Sequence, residues 1–273
     1  MDESSRSDRT EQVVAQDWKE WSEAGLARLL WRYARLNHQE LAPVARLDEW
    51  PTAQQEAIAS EWCRTLLYRL LVPVLSGVIL RGRLMALPLP SLCLHLSSAL
   101  TTEGVELPEA PLDLQERWPD VGNKMATALG LQEFLEQTLQ PLFQRMSGVA
   151  NCRERLLWCS AACYWQWWLQ TPELESAMAA LPAEALTQAR ERLLVARLFI
   201  EQSVLPCQRC EGGECPRNPM HQPLRWRHKE GEQVPVRKVC CQRHQIPGLA
   251  LCSYCPHLFA PPRTRRDDQS EQE

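Results

Sequence analysis

The sequence lacks any excess of basic charge: in 273 residues, 30 Lys+Arg stand against 34 Asp+Glu, a formal net of -4. Such a balance gives no global field to hold nucleic acid or an anionic membrane, so neither is expected as a partner. Long apolar runs are also missing. The longest, Leu66 to Leu80, is interrupted by Arg69 and Pro73 and is shorter than the ~20 residues a membrane-crossing helix needs. No transmembrane segment is therefore expected. The opening MDESSRSDRTEQ has no apolar h-region of a secretory leader, so the expected location is the cytoplasm, at most peripheral to the inner membrane. No Gly-x-Gly-x-x-Gly fingerprint is visible, so any electrons the chain uses are expected from a separate donor. No nucleophile or acid–base pair stands out. With 45% hydrophobic and 23% charged residues, disorder and fibre are excluded, and the length suffices for a sizeable core.

Cysteine, by contrast, is plentiful: twelve residues in a chain expected to reside in a reducing compartment, where thiols serve metal or redox chemistry rather than a disulfide framework. Cys63, Cys93, Cys152, Cys159 and Cys163 are scattered over the first two hundred residues. Cys207, Cys210, Cys215, Cys240, Cys241, Cys252 and Cys255 crowd into the C-terminal part.

Up to Ile200 the texture is helical, Leu- and Ala-rich with few glycines. Trp18, Trp21, Leu26, Leu29, Leu30, Tyr33 and Leu36 approximate one apolar stripe and predict an amphipathic helix over 12–36. A second helix is predicted from Thr52, taken as its N-cap, to Leu80, kinked or ended by Pro73. Further helices are predicted over 122–146, interrupted at Pro141, over 152–169 and over 182–200. Leu92, Leu94 and Leu96 alternate with Cys93 and His95, which suggests a short strand near 91–97. After Leu205 the helical period disappears. The segment PLRWRHKEGEQVPVRKV reads as a β-hairpin with Gly231 at its turn, delivering Cys240 and Cys241 from its second strand. The fold class is mainly α (α+β): a helical domain over 11–205 and a Cys-rich module over 206–258, between disordered ends at 1–10 and 259–273.

Cys240-Cys241, ten intervening residues, then Cys252-Ser-Tyr-Cys255 place four thiolates within reach of one metal centre. Adjacent side chains of extended backbone point to opposite sides, which is awkward for one tetrahedral zinc and compatible with two irons of a binuclear cluster. Spacing alone leaves structural zinc and an iron–sulfur cluster as equal alternatives. Cys207, Cys210 and Cys215, with His221 or a helical-domain cysteine, form a candidate second centre; the plainer reading is an insertion with reduced thiols. Cys152, Cys159 and Cys163 are expected to share a helix face as small apolar core residues. Trp158, Trp165, Trp167 and Trp168 are expected in the core. His95 reads as a satisfied histidine near the strand. His244 and His257 flank the cysteines and count as candidate ligands.

The segment from Pro223 to Cys255 resembles the C-terminal signature of the bacterial ferric-siderophore reductase family of the FhuF type. Arg237, Lys238, Cys240, Cys241, Gln242, Arg243, Ile246, Pro247, Cys252 and Cys255 fall where that pattern has them. The helices EWCRTLLYRLLVPVLSGVIL and LEQTLQPLFQRMSGVANCRERLLWCSAACYWQWWL are similar to that family's internal helices. The resemblance implies a [2Fe-2S] cluster on Cys240, Cys241, Cys252 and Cys255 that passes single electrons to Fe(III) in a siderophore of hydroxamate type, releasing Fe(II). It makes Arg237, Lys238, Arg243 and His244 candidates for tuning the cluster. Trp226, on the hairpin, is expected to be a packing residue first, with substrate contact as the alternative. The competing readings are a zinc-stapled adaptor and an iron–sulfur carrier or redox sensor without a siderophore substrate.

Overall fold

The computed structural model describes residues 16–85, 88–108, 111–206, 216–229 and 231–259. Of the ends expected to be disordered, 1–10 and 259–273, all but Phe259 lie outside the described residues, as do Cys207, Cys210 and Cys215; Phe259 closes a 3-10 turn over Pro256–Phe259.

The chain is mainly helical, with small antiparallel sheets at its edges. Its centre is the helix α2, which follows β1 (Gln16–Trp18) and α1 (Glu23–Asn37) and runs over Thr52–Arg81. Ile58, Trp62, Leu66, Leu70, Val74 and Val78 are all fully buried, so most of α2 packs against its neighbours, while Arg64, Tyr68 and Arg69 form an exposed stripe along it. Its length of 30 residues and mean hydropathy of 1.6 would fit a membrane span, yet 56% of that stretch is buried inside the protein. Pro73 neither ends nor divides it. One lost donor in a helix interior costs about 3 kcal/mol; Pro73 lies on the partly exposed stripe of α2, and the packing of the buried faces outweighs that cost. Thr52 is the first helical residue rather than the N-cap, a position held by Pro51 without a side-chain bond.

The first predicted helix is shorter than its apolar stripe. Ser22 caps α1 by accepting a hydrogen bond from the Gly25 amide at 3.1 Å, and this local signal starts the helix after the two tryptophans. Trp18 belongs to β1 and Trp21 to the turn behind it. Their rings meet edge to face at 4.5 Å, and the Trp21 indole N–H donates to the Leu92 carbonyl at 2.6 Å.

The strand near 91–97 is present as β3. After β2 (Arg83–Leu84), β3 (Leu94–Leu96) lies between β1 and β4 (Thr102–Val105), antiparallel to both. Leu94 and Leu96 are buried while His95 faces outward and meets Asp17 at 2.6 Å. β5 (Leu112–Asp113) pairs with β2 and leads into α3 (Leu114–Arg117).

The helix expected over 122–146 is split into α4 (Asn123–Phe134) and α5 (Gln140–Ala150) by a π turn at Leu135–Leu139. The wider turn carries the chain past Pro141, which has no N–H for the regular bond. α6 (Glu154–Trp168), α7 (Pro172–Ala179) and α8 (Ala183–Glu201) complete the body. Cys152 precedes α6, so only Cys159 and Cys163 share that helix. Trp158 and Trp165 are buried, whereas Trp167 is 44% exposed, its ring 5.7 Å from that of the half-exposed Tyr68 on α2.

The hairpin forms as expected, from β6 (Leu224–Lys229) and β7 (Glu232–Arg237), with Leu224 opposite Arg237 and Lys229 opposite Glu232. Gly231 turns it with φ +88°, a conformation glycine adopts without a Cβ penalty. Beyond β7 the chain returns to the body: Ile246 is fully buried in the common core. Gly248 has φ +79°, and a Cβ there would lie 2.7 Å from the Glu40 carboxylate. The cysteine-bearing segment is thus held against the helices by one buried side chain and a tight turn. Truncating that side chain, Ile246→Ala, is expected to lower stability by about 2–4 kcal/mol, measured by urea unfolding. A loss below 1 kcal/mol would mean the segment is anchored elsewhere.

Candidate metal centre

Two short backbone links shape the site. The Arg237 amide donates to the Tyr254 carbonyl at 2.9 Å, and the Lys238 amide to the Pro223 carbonyl at 2.8 Å. The first brings the end of β7 against the arm that carries Cys252 and Cys255, and the second ties it to the residue before β6. Gln242 follows the double cysteine in the left-handed region, φ +59°, and a 3-10 turn occupies Arg243–Gln245.

The adjacent cysteines do not share a partner. Cys240 Sγ lies 4.0 Å from Cys255 Sγ, and Cys241 Sγ lies 3.8 Å from Cys252 Sγ. At the ~2.3 Å of a metal–thiolate bond, two thiolates on one tetrahedral ion sit about 3.8 Å apart. Each pair therefore has the spacing of two ligands on one ion. The ligand atoms that do gather within 4.8 Å of one another are those of Cys240, His244 and His257; among the described residues the four sulfurs form no such group. The donor set is one that could hold metal. Cys240, Cys241 and Cys255 are buried and Cys252 is partly exposed.

Hydrogen bonds and charge favour anionic sulfur at Cys241. The Gln242 amide donates to Cys240 Sγ at 3.4 Å. Hydrogen bonds from the Cys240 and Cys252 thiols hold Cys241 far below the ordinary thiol range, assisted against burial by the Arg243 amide and the Arg237 charge. Cys240 and Cys252 move upward in response, each through its bond to Cys241 and then through burial.

Arg237 faces Cys159, Cys163, Cys241 and Cys252. Burial opposes its charge, but the surrounding sulfurs raise its pKa overall. Its Nη2 donates to Ser160 Oγ at 2.6 Å. Arg243 Nε approaches Glu61 Oε2 at 3.8 Å, and the other oxygen of that carboxylate takes Arg64 at 2.7 Å. These groups, with Tyr164, Cys241 and Cys252, line a cavity of about 40 Å³ on the body side of the site. A larger cleft of about 580 Å³ beside α1 and residues 45–48 holds no thiol or imidazole.

The structure thus brings Cys240, Cys241, Cys252, Cys255, Arg237, Arg243 and His244 together. Lys238 turns outward, with Nζ 3.3 Å from Gln222 Oε1. Trp226 stands on the hairpin with 61% of its surface exposed. Sequence reasoning missed Glu61, Ser160 and Tyr164, whose only sequence signal was their position on predicted helices. It also read Cys159 and Cys163 as plain core. Cys159 is pulled down to about 6, first by its hydrogen bond with Cys163 and, against burial, by Arg237, while Cys163 rises because of that bond. Cys152 behaves as expected of a core thiol, pushed up to about 12 by burial.

Compared with known proteins, the chain matches no family model and no curated protein.

The two-pair geometry predicts that one serine from either pair suffices to empty the site. Cys241→Ser and Cys255→Ser are each expected to lose most bound metal, by elemental analysis of anaerobically purified protein, while Cys152→Ser retains it. Full metal retention in either of the first two variants would contradict the pairing.

Proposed function

We propose that Cys240, Cys241, Cys252 and Cys255 hold a [2Fe-2S] cluster and that the chain is a cytoplasmic ferric-siderophore reductase. The observation that carries this reading is the pairing of neighbouring cysteines with different members of a Cys-x-x-Cys, at 4.0 and 3.8 Å. When bound, the cluster supplies a one-electron couple, which is what reduction of chelated Fe(III) to Fe(II) requires. The resemblance of residues 223–255 to the siderophore reductases supports the choice of substrate.

The chemistry asks little else of the protein. Hydroxamate oxygens are hard ligands that hold Fe(III) far more tightly than Fe(II), so one electron loosens the chelate. The organic ligand stays whole, its oxygens taking up protons as the metal leaves, and no nucleophile is needed. Arg237 and Arg243 place positive charge beside the sulfurs, which offsets the thiolates and favours the more reduced state. Cys252 is partly exposed beside the buried Cys241, so one edge of the site comes near the surface where a bulky chelate can approach. The chain has no nucleotide fingerprint, and a separate one-electron donor re-reduces it.

One observation favours a second reading. Cys240, His244 and His257 offer ligand atoms within 4.8 Å of one another, the makings of a mononuclear zinc site in a zinc-stapled adaptor.

The test of the reductase is a single-turnover experiment. Chemically reduced protein mixed with a ferric hydroxamate, with a ferrous trap present, is expected to reoxidise with about one Fe(II) released per cluster. Reoxidation without Fe(II) release would leave an electron carrier instead. Arg237→Gln is expected to move the reduction potential to more negative values; an unchanged potential would remove Arg237 from the site's electrostatics.

A further inference from the structure

His244 and His257 arise from two separate 3-10 turns, Arg243–Gln245 and Pro256–Phe259, each directly behind a pair of the cysteines. Their ring centroids are 4.9 Å apart. His244 Nδ1 lies 3.9 Å from Cys240 Sγ, and one nitrogen of each ring falls within 4.8 Å of the other and of that sulfur. Cys240 is buried and His257 exposed, so the set is anchored at the sulfur and open to solvent at the second imidazole.

With Cys240 committed to the cluster, two imidazoles and water positions remain. Neutral imidazole suits divalent iron, cobalt, nickel and zinc, whereas Fe(III) prefers the hard oxygens of its chelate. The set therefore discriminates by oxidation state in the sense the proposed reaction needs. Gln245 supports a ligand role for His244: its amide lies 3.0 Å from Nε2. The two ends of an amide are interchangeable in such an assignment. With its oxygen inward the amide accepts from Nε2–H, leaving the Nδ1 lone pair aimed at the Cys240 side, the arrangement metal-binding histidines use.

We propose that His244 and His257 form a second metal site, beside Cys240 at the edge of the cluster, that takes up the ferrous ion as it leaves the chelate. The proposal rests on the cluster reading above. In the step itself the ion exchanges water for two imidazole nitrogens, each giving an electron pair; no electron is transferred and no bond of the protein is broken. A ferrous ion held there is kept from rebinding the chelate.

The test uses cluster-loaded full-length protein under anaerobic conditions, with Co(II) as the probe, and measures cobalt and iron per chain after equilibrium dialysis. About one Co(II) per chain is expected with the iron content unchanged, weakened by about 10-fold or more in His257→Ala and in His244→Ala. Broadening of the reduced cluster's paramagnetic signal on Co(II) binding is expected in the wild type and absent from both variants. Iron retained with no cobalt uptake, or uptake equal in the variants, overturns this site and leaves the cluster reading intact. Protein without iron, whose single metal ion is lost in the histidine variants, overturns both.

Discussion

Everything at the C-terminal end depends on the adjacency of Cys240 and Cys241. Two neighbouring side chains cannot easily point at the same place, because successive Cα–Cβ bonds of an extended backbone diverge. The fold meets this constraint by presenting the other two thiols on one short arm and letting each adjacent cysteine take a different one. The result is two pairs rather than one tetrahedron. This is the property that turns a cysteine count into a statement about metal nuclearity.

The helical body positions and charges that arrangement. Ile246, fully buried between the two cysteine pairs in sequence, roots the segment in the core, and the hairpin's second strand is clamped to the Cys252–Cys255 arm by a backbone hydrogen bond. From α2 and α6 come Glu61, Ser160 and Tyr164, which orient Arg237 and Arg243 at the sulfurs. One face of the site is thus lined by fixed cations and belongs to the body; the other carries two imidazoles and opens outward. That division, a rigid polarising back and an accessible edge, suits the electron-transfer role proposed above.

Much of this was legible in the sequence where a signal is local. The hairpin was written in alternation around Gly231, the strand at Leu94–Leu96 in its period of two, and the long helices in their apolar spacing. The failures came where tertiary packing or a cap decided the outcome. Packing of its buried faces carried α2 through Pro73, and Ser22 began α1 beyond Trp18 and Trp21, whose place on a helical stripe was a coincidence of spacing. The four C-terminal cysteines were readable as a cluster in sequence, but the approach of Cys240 to Cys255 and of Cys241 to Cys252 was not. The partners contributed by α2 and α6 were invisible, because nothing in a helix sequence says which turn will face a segment more than seventy residues away.

X-ray absorption at the iron and zinc edges of anaerobically purified protein tests the central claim most directly. The account predicts an iron signal with an all-sulfur first shell and a second iron as the nearest heavy scatterer, with no stoichiometric zinc. A zinc signal with a mixed sulfur and nitrogen shell and no near metal neighbour would contradict it.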